Sequence, residues 1–344
     1  MMKQQVLVNP RNISFRDVSI PKPNENEVLV KIMRIGICGS DIHTYHGKHP
    51  YVSSYPLTQG HEVSAKVEQV GSKVIAFKVG DKVTIQPQDV CGTCYPCTHN
   101  HYHCCDNLKV FGFQTVGMAS EYFVCDAEKL VLFPQTMSFE EGAMIEPLAV
   151  ACHAIKLIPT VKDYNILILG AGPIGNLMGQ TAKALDAKSV LITDISDFRL
   201  QLAEQVGLDY TFNPMTGNLT REIIEKFGPE KADLIIECVG STLTINDAIT
   251  NARKNSTILA VGVVPEKPTI DFGLVQNNEL RIQGSAMYQT KDFLTAIDLV
   301  NRQKIELQPL MTKHFRFKEY QKAYEFLEHE KDKAMKVFID IDTW

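Results

Sequence analysis

The pattern of hydrophobic and polar positions changes its rhythm once along this chain, near residue 165. Up to about residue 135, short runs dense in Val and Ile (EVLVKIMRIGIC, EVSAKVEQVG, DKVTIQ, SEYFVC, KLVLFP) are punctuated by Gly or Pro roughly every ten residues. Short β-like runs between turn residues predict an all-β, barrel-like domain. From Asn165 onward, apolar runs alternate with helical stretches: NILILGAG then PIGNLMGQTAKALDA, SVLITD then FRLQLAEQVG, ADLIIECVG then TLTINDAITNAR, and STILAVGVV. That alternation predicts βαβ units and a doubly wound parallel sheet with helices on both faces, an α/β domain. After ELRIQGS come two helical patterns, near 291–302 and 318–329, and a lone last strand, MKVFIDID. This strand is expected to return to the first domain. The expected division is therefore 1–147 with 287–344 for the β-rich domain and 148–286 for the α/β domain.

Composition narrows the field. The 344 residues exceed what one core usually serves, and 44% hydrophobic with 22% charged residues is ordinary for a globular protein. A net charge of −5 argues against nucleic acid as the partner. No apolar run is long enough to cross a membrane, and the start, MMKQQVLVNPRN, has no signal-peptide core, so a cytoplasmic location is expected. Thiols stay reduced there, so the nine cysteines read as metal ligands or buried small hydrophobes rather than disulfides.

GAGPIG sets Gly170, Gly172, Pro173, Ile174 and Gly175 between a strand and a helix. The first glycine permits a tight turn, the second lets a pyrophosphate approach the backbone, and the third lets helix pack on strand. Asp194 ends the next strand at the distance expected of a ribose-binding carboxylate, which favours NAD over NADP. Arg199 is placed either along the adenine side or as a solvated helix charge.

The stretch CGTCYPCTHNHYHCC, from Cys91 to Cys105, holds five cysteines and three histidines. Cys91, Cys94 and Cys97 with either Cys105 or Cys104 can enclose one zinc ion, with His99, His101 and His103 as lesser rivals for the fourth place. Four sulfurs leave no open position, so such an ion is structural. The loop has no Lys or Arg, which disfavours a nucleic-acid finger. GICGSDIH and QGHEVS contribute Cys38, His61 and Glu62, a thiolate, an imidazole and a carboxylate that leave a position open for water or substrate oxygen. Openness is the mark of a catalytic zinc.

GICGSDIH, GHE, the cysteine loop, MIEPLAVACHA and GAGPIG occur in one order and spacing. In these motifs the chain resembles the zinc-dependent medium-chain alcohol dehydrogenases, in particular the sorbitol (polyol) dehydrogenase branch. The resemblance implies a GroES-like catalytic domain and a Rossmann domain with the active site in the cleft between them. It implies zinc bound by Cys38, His61 and Glu62, with Glu146 holding the zinc-bound water or exchanging with it. It makes Cys105 the fourth ligand of the structural zinc, Ser40 the hydroxyl that takes the substrate proton, and His43 the group that passes it to solvent. Two zinc ions per chain, NAD, a small hydroxylated substrate and a homodimer or homotetramer follow from it. Two departures stand out. Ala65 replaces a usual glycine, and Met287-Tyr288 replaces the Arg-Tyr pair with which sorbitol dehydrogenases bind polyol hydroxyls. A secondary hydroxyl of a polyol is the expected target; a hexonate, a sugar-alcohol phosphate or L-threonine are the alternatives. A dinucleotide-binding relic without catalysis is disfavoured because Cys38 and His61 are both present.

Overall fold

The computed structural model describes residues 1–52, 54–264, 266–330 and 333–344. Two compact units emerge, one from Met1–Glu146, Gln289–Ile297 and Met311–Trp344, the other from Pro147–Tyr288 and Asp298–Leu310. Residues 298–310 thus pack with the α/β unit, an excursion absent from a division made at 286/287.

The first unit is organised by strand Glu27–Gly36. One edge pairs antiparallel with Glu62–Val70 along almost its whole length. The other edge is shared: Glu27–Lys31 bond to Tyr122–Asp126, and Arg34–Gly36 bond to the C-terminal strand Lys336–Asp340. The inward residues Val28, Val30, Ile32, Ile35, Val63, Val67, Val337 and Ile339 are buried and form one core. Removing this much apolar area from water is the main stabilising contribution. Ala65 is fully buried in that core, paired with Ile32 and Val83, so its methyl group adds packing where glycine would leave a gap. The last strand does return to the first domain, but it is not alone: Met311–Arg316 pairs parallel to it. No residue of MTKHFR is fully buried and the segment lacks an apolar stripe, which is why its strand is silent in the pattern.

The second unit is a six-stranded parallel sheet in the order Tyr210–Phe212, Ser189–Thr193, Asn165–Leu169, Leu234–Glu237, Thr257–Ala260, Arg281–Gly284. Ile166–Leu169, Val190–Ile192 and Leu234–Ile236 are buried, as strands covered on both faces must be. The strand order reverses between Asn165–Leu169 and Leu234–Glu237, so their carboxyl ends flank the crevice where doubly wound sheets bind ligands.

Candidate metal and dinucleotide sites

The cysteine loop is shaped by local turns. Gly92 sits at φ +71° and Asn100 at φ +61°. Cys94 caps the short helix Tyr95–Thr98, and Tyr102–Cys104 forms a 3-10 turn that delivers Cys105. Cys91, Cys94, Cys97 and Cys105 converge with their sulfurs within 4.8 Å of one another, and Cys104, which is exposed, is not among them. The Cys91–Cys105 and Cys94–Cys105 sulfur separations are 3.5 and 3.8 Å. A tetrahedron with metal–sulfur bonds of about 2.3 Å has edges of about 3.8 Å, whereas a disulfide needs about 2.05 Å. The backbone N–H groups of Cys91 and Asn107 donate to the Cys105 sulfur, both at 3.3 Å. Bonds from the backbone of Thr93 and Cys94 bring the Cys91 thiol down to about 5, while desolvation and its neighbours Cys94 and Cys105 push Cys97 up to about 12. A divalent cation is the charge that lets all four ionise together. The donor set fits zinc. Of the three histidines, His99 and His101 are exposed and His103 is buried, and none joins the cluster. The loop is docked within its unit by Gln289 Nε2, which donates to the Asn100 carbonyl at 2.6 Å, and by Thr290 N–H to the Tyr102 hydroxyl at 2.7 Å.

The second cluster joins two segments. Cys38 is the N-cap of helix Gly39–Tyr45, Glu62 begins strand Glu62–Val70, and His61 immediately precedes it. One ligand atom from each of Cys38, His61 and Glu62 lies within 4.8 Å of the others. His61 and Glu62 are 5% and 1% exposed, so their polar atoms need partners inside the protein. Asp41, 1% exposed, supports both segments: its Oδ2 accepts from the Cys38 N–H at 3.0 Å and its Oδ1 lies 3.5 Å from His61 Nδ1. A carboxylate facing one ring nitrogen leaves the other for a metal, the usual arrangement around ligating histidines. Burial pulls the His61 pKa down, but Asp41 and Cys38 outweigh it and hold the ring well above 6.5. A cation is the natural replacement for that proton. This set also fits zinc, with fewer protein ligands than a closed site requires. Phe113 packs against His61 with ring centroids 4.9 Å apart, and His49 stacks on Phe113 at 4.6 Å.

The remaining candidates fall into place less tightly. Ser40 is half-buried and His43 exposed, three residues apart on helix Gly39–Tyr45 and hence neighbours on its surface. Glu146 is 6% exposed and near enough to contribute to the Lys336 pKa, but it is outside the three-residue cluster. Met287 is held at φ +51° and Tyr288 is 1% exposed, both in the second unit.

In the α/β unit Gly170 adopts φ +101°, and a Cβ on Gly175 would run into the Gly170 carbonyl, so both positions demand glycine. Gly172 is the N-cap of helix Pro173–Ala184, with Pro173 and Ile174 in its first turn. Asp194 is tied to the loop: its Oδ2 accepts from Ala171 N–H at 2.8 Å and its Oδ1 from Ser196 N–H at 2.9 Å. Arg199 Nη1 lies 3.7 Å from Asp194 Oδ2 and 3.9 Å from where a Gly172 Cβ would stand. Its Nε is buried without a partner among the described residues, although the side chain as a whole is about a third exposed.

Comparison with known proteins identifies the family. Residues 24–135 match the Alcohol dehydrogenase GroES-like domain family, and residues 173–302 match the Zinc-binding dehydrogenase family. The chain is 33% identical to an L-threonine 3-dehydrogenase of Pyrococcus horikoshii over 90% of both proteins. It is 34% identical to a D-xylulose reductase of Saccharomyces cerevisiae over 97% of this chain and 96% of that one. An alcohol dehydrogenase from Escherichia coli, solved with NADH, superposes with a TM-score of 0.91 at 30% identity, covering 99% of each chain. The chain belongs to the zinc-dependent medium-chain alcohol dehydrogenases, in their polyol dehydrogenase branch, and its architecture is the GroES-like and Rossmann pair of that family. Among the described residues no helix is long and apolar enough to cross a membrane.

Asp41, Phe113, His49 and Lys336 escaped the sequence reading. Asp41 stands inside the CGSDIH stretch but looks like an ordinary helix-start acid. Phe113 and His49 carry no spacing signal. Lys336 left one faint trace, a charge at the head of the apolar run Val337–Ile339.

Proposed function

We propose that the chain oxidises a secondary hydroxyl of a polyol or sugar-derived substrate and delivers the hydride to NAD. The observation that carries this is the convergence of Cys38, His61 and Glu62, donors of three chemical kinds gathered within 4.8 Å of one another. These three residues would hold zinc, which would supply the Lewis acidity that makes an alcohol a stronger acid. Ser40 Oγ is the group assigned to take the hydroxyl proton, and His43, exposed one helical turn away, hands it to solvent. Glu146 is buried close by and assists as an alternative carboxylate. The N–H groups at the start of helix Pro173–Ala184 receive the pyrophosphate. Asp194 accepts from the ribose and repels a 2′-phosphate, which is the basis for choosing NAD. Tyr288 and Met287 are assigned to the substrate side.

A second reading, L-threonine as substrate, is favoured by the archaeal relative. The two are separated by a panel of polyols, hexonates, sugar phosphates and L-threonine scored by NADH formation. The proposal expects the highest kcat/KM with an uncharged polyol; a higher value with L-threonine or a phosphorylated sugar contradicts it. We also assign the chain to a reducing compartment, the cytoplasm, because Cys91, Cys94, Cys97 and Cys105 are arranged as metal-binding thiolates, which must stay reduced. Self-association is assigned to the edge strand Arg281–Gly284, whose four residues are exposed and include Ile282.

A further inference from the structure

A lysine in the interior of a sheet demands a partner, because an unpaired buried ammonium is far costlier than one in water. Lys336 opens the C-terminal strand with its side chain 3% exposed. Its Nζ donates to both carboxylate oxygens of Glu62, at 2.9 and 2.6 Å, and lies 3.4 Å from the Ile37 carbonyl oxygen, next to Cys38. Strand register explains the reach. Gly36, on the strand between them, faces Glu62 on one edge and Phe338 on the other. A Cβ on Gly36 would collide with Glu62 Oε2 and lie 3.4 Å from Lys336 Cδ. Glycine at this position therefore opens the path by which the ammonium crosses the central strand.

The carboxylate that Lys336 grips is also one of the three converging donors. Glu62 thus serves two positive partners. Whatever share of its lone pairs the ammonium takes is denied to a metal.

We propose that Lys336 is a positioning residue that keeps Glu62 an exchangeable metal ligand, by holding its carboxylate between the ammonium and the ion of Cys38 and His61. This rests on the reading of those residues as a metal centre. A merely structural ion pair makes the opposite prediction: breaking it would disorder Glu62 and loosen the metal.

The test follows zinc release from the fully loaded protein into excess 1,10-phenanthroline, with zinc counted per chain beforehand. The wild type is expected to hold two ions and to lose that of Cys38 and His61 first. Lys336→Met should slow this loss by about tenfold, the scale of effects from groups that contact metal ligands. Lys336→Arg, whose fork grips a carboxylate through two bonds, should speed it by several-fold. In a Glu62→Gln background, Lys336→Met should change nothing. Faster or unchanged release in Lys336→Met, or both variants shifting in one direction, overturns the proposal. If Lys336→Met does not fold, Lys336→Arg decides alone: faster release supports the idea and equal or slower release refutes it. A wild type with a single ion defeats the metal-centre reading and this inference with it. Two ions with release indifferent to position 336 defeats the inference only.

Discussion

In the cysteine loop four sulfurs come from fifteen consecutive residues, and their neighbours are one another, backbone N–H groups and the Thr93 hydroxyl. In the Cys38–His61–Glu62 cluster three donors come from two separate segments, and they lean on two buried groups of opposite charge: Cys38 N–H and His61 on Asp41, Glu62 on Lys336. The first set is chemically uniform and closes a coordination sphere from the protein alone. The second is mixed, incomplete, and surrounded by residues that tune it. Uniform and closed suits bracing; mixed and open suits a reaction, since something from outside must be able to enter. The same contrast appears in burial. Cys91 and Cys104 are exposed at the loop, while His61, Glu62, Asp41 and Lys336 are all nearly or fully buried, where charges interact more strongly than in water.

Substitutions can break this comparison or sharpen it. The largest effect is expected at Cys38: Cys38→Ser should lower kcat by about a thousandfold, roughly 4 kcal/mol of barrier, while thermal stability and one zinc per chain persist. Near-normal turnover in that variant would show that the two clusters do not divide the work as described. Cys105→Ser should act through the fold, costing about 3 kcal/mol or more and lowering the melting temperature by at least roughly 5 °C. Calorimetry and a zinc count together distinguish this from the Cys38 result. Asp41→Asn should weaken metal binding about 10- to 100-fold with the fold intact, measured by competition with a chelator. Asp194→Ala should reduce kcat/KM for NAD about tenfold and leave NADP less affected, the consequence of losing hydrogen bonds and a repelling charge. Cys104→Ser should move stability by no more than about 0.5 kcal/mol. A large loss there would reopen which cysteine completes the loop.

Much of this was legible in the sequence, for physical reasons. The strand–GAGPIG–helix pattern is local: a tight turn, a close backbone approach and a helix start need particular residues in a row, so Gly170, Gly172 and Gly175 declare themselves. The cysteine loop is equally local, and its turns bring Cys105 rather than Cys104 inward. The parallel sheet shows in continuous apolar runs because both its faces are buried. Strand Met311–Arg316 did not show, since its stability comes from backbone pairing with Lys336–Asp340 and little apolar burial of its own. Lys336 was beyond reach for another reason. Its meaning depends on a register that aligns residues almost three hundred positions apart across Gly36, and no local periodicity encodes that.

Diffraction from crystals of the protein at energies on either side of the zinc absorption edge tests the central claim most directly. Two anomalous peaks per chain are predicted, one enclosed by Cys91, Cys94, Cys97 and Cys105 and one against Cys38, His61 and Glu62. A peak in the cysteine loop with none at the second cluster would contradict the account.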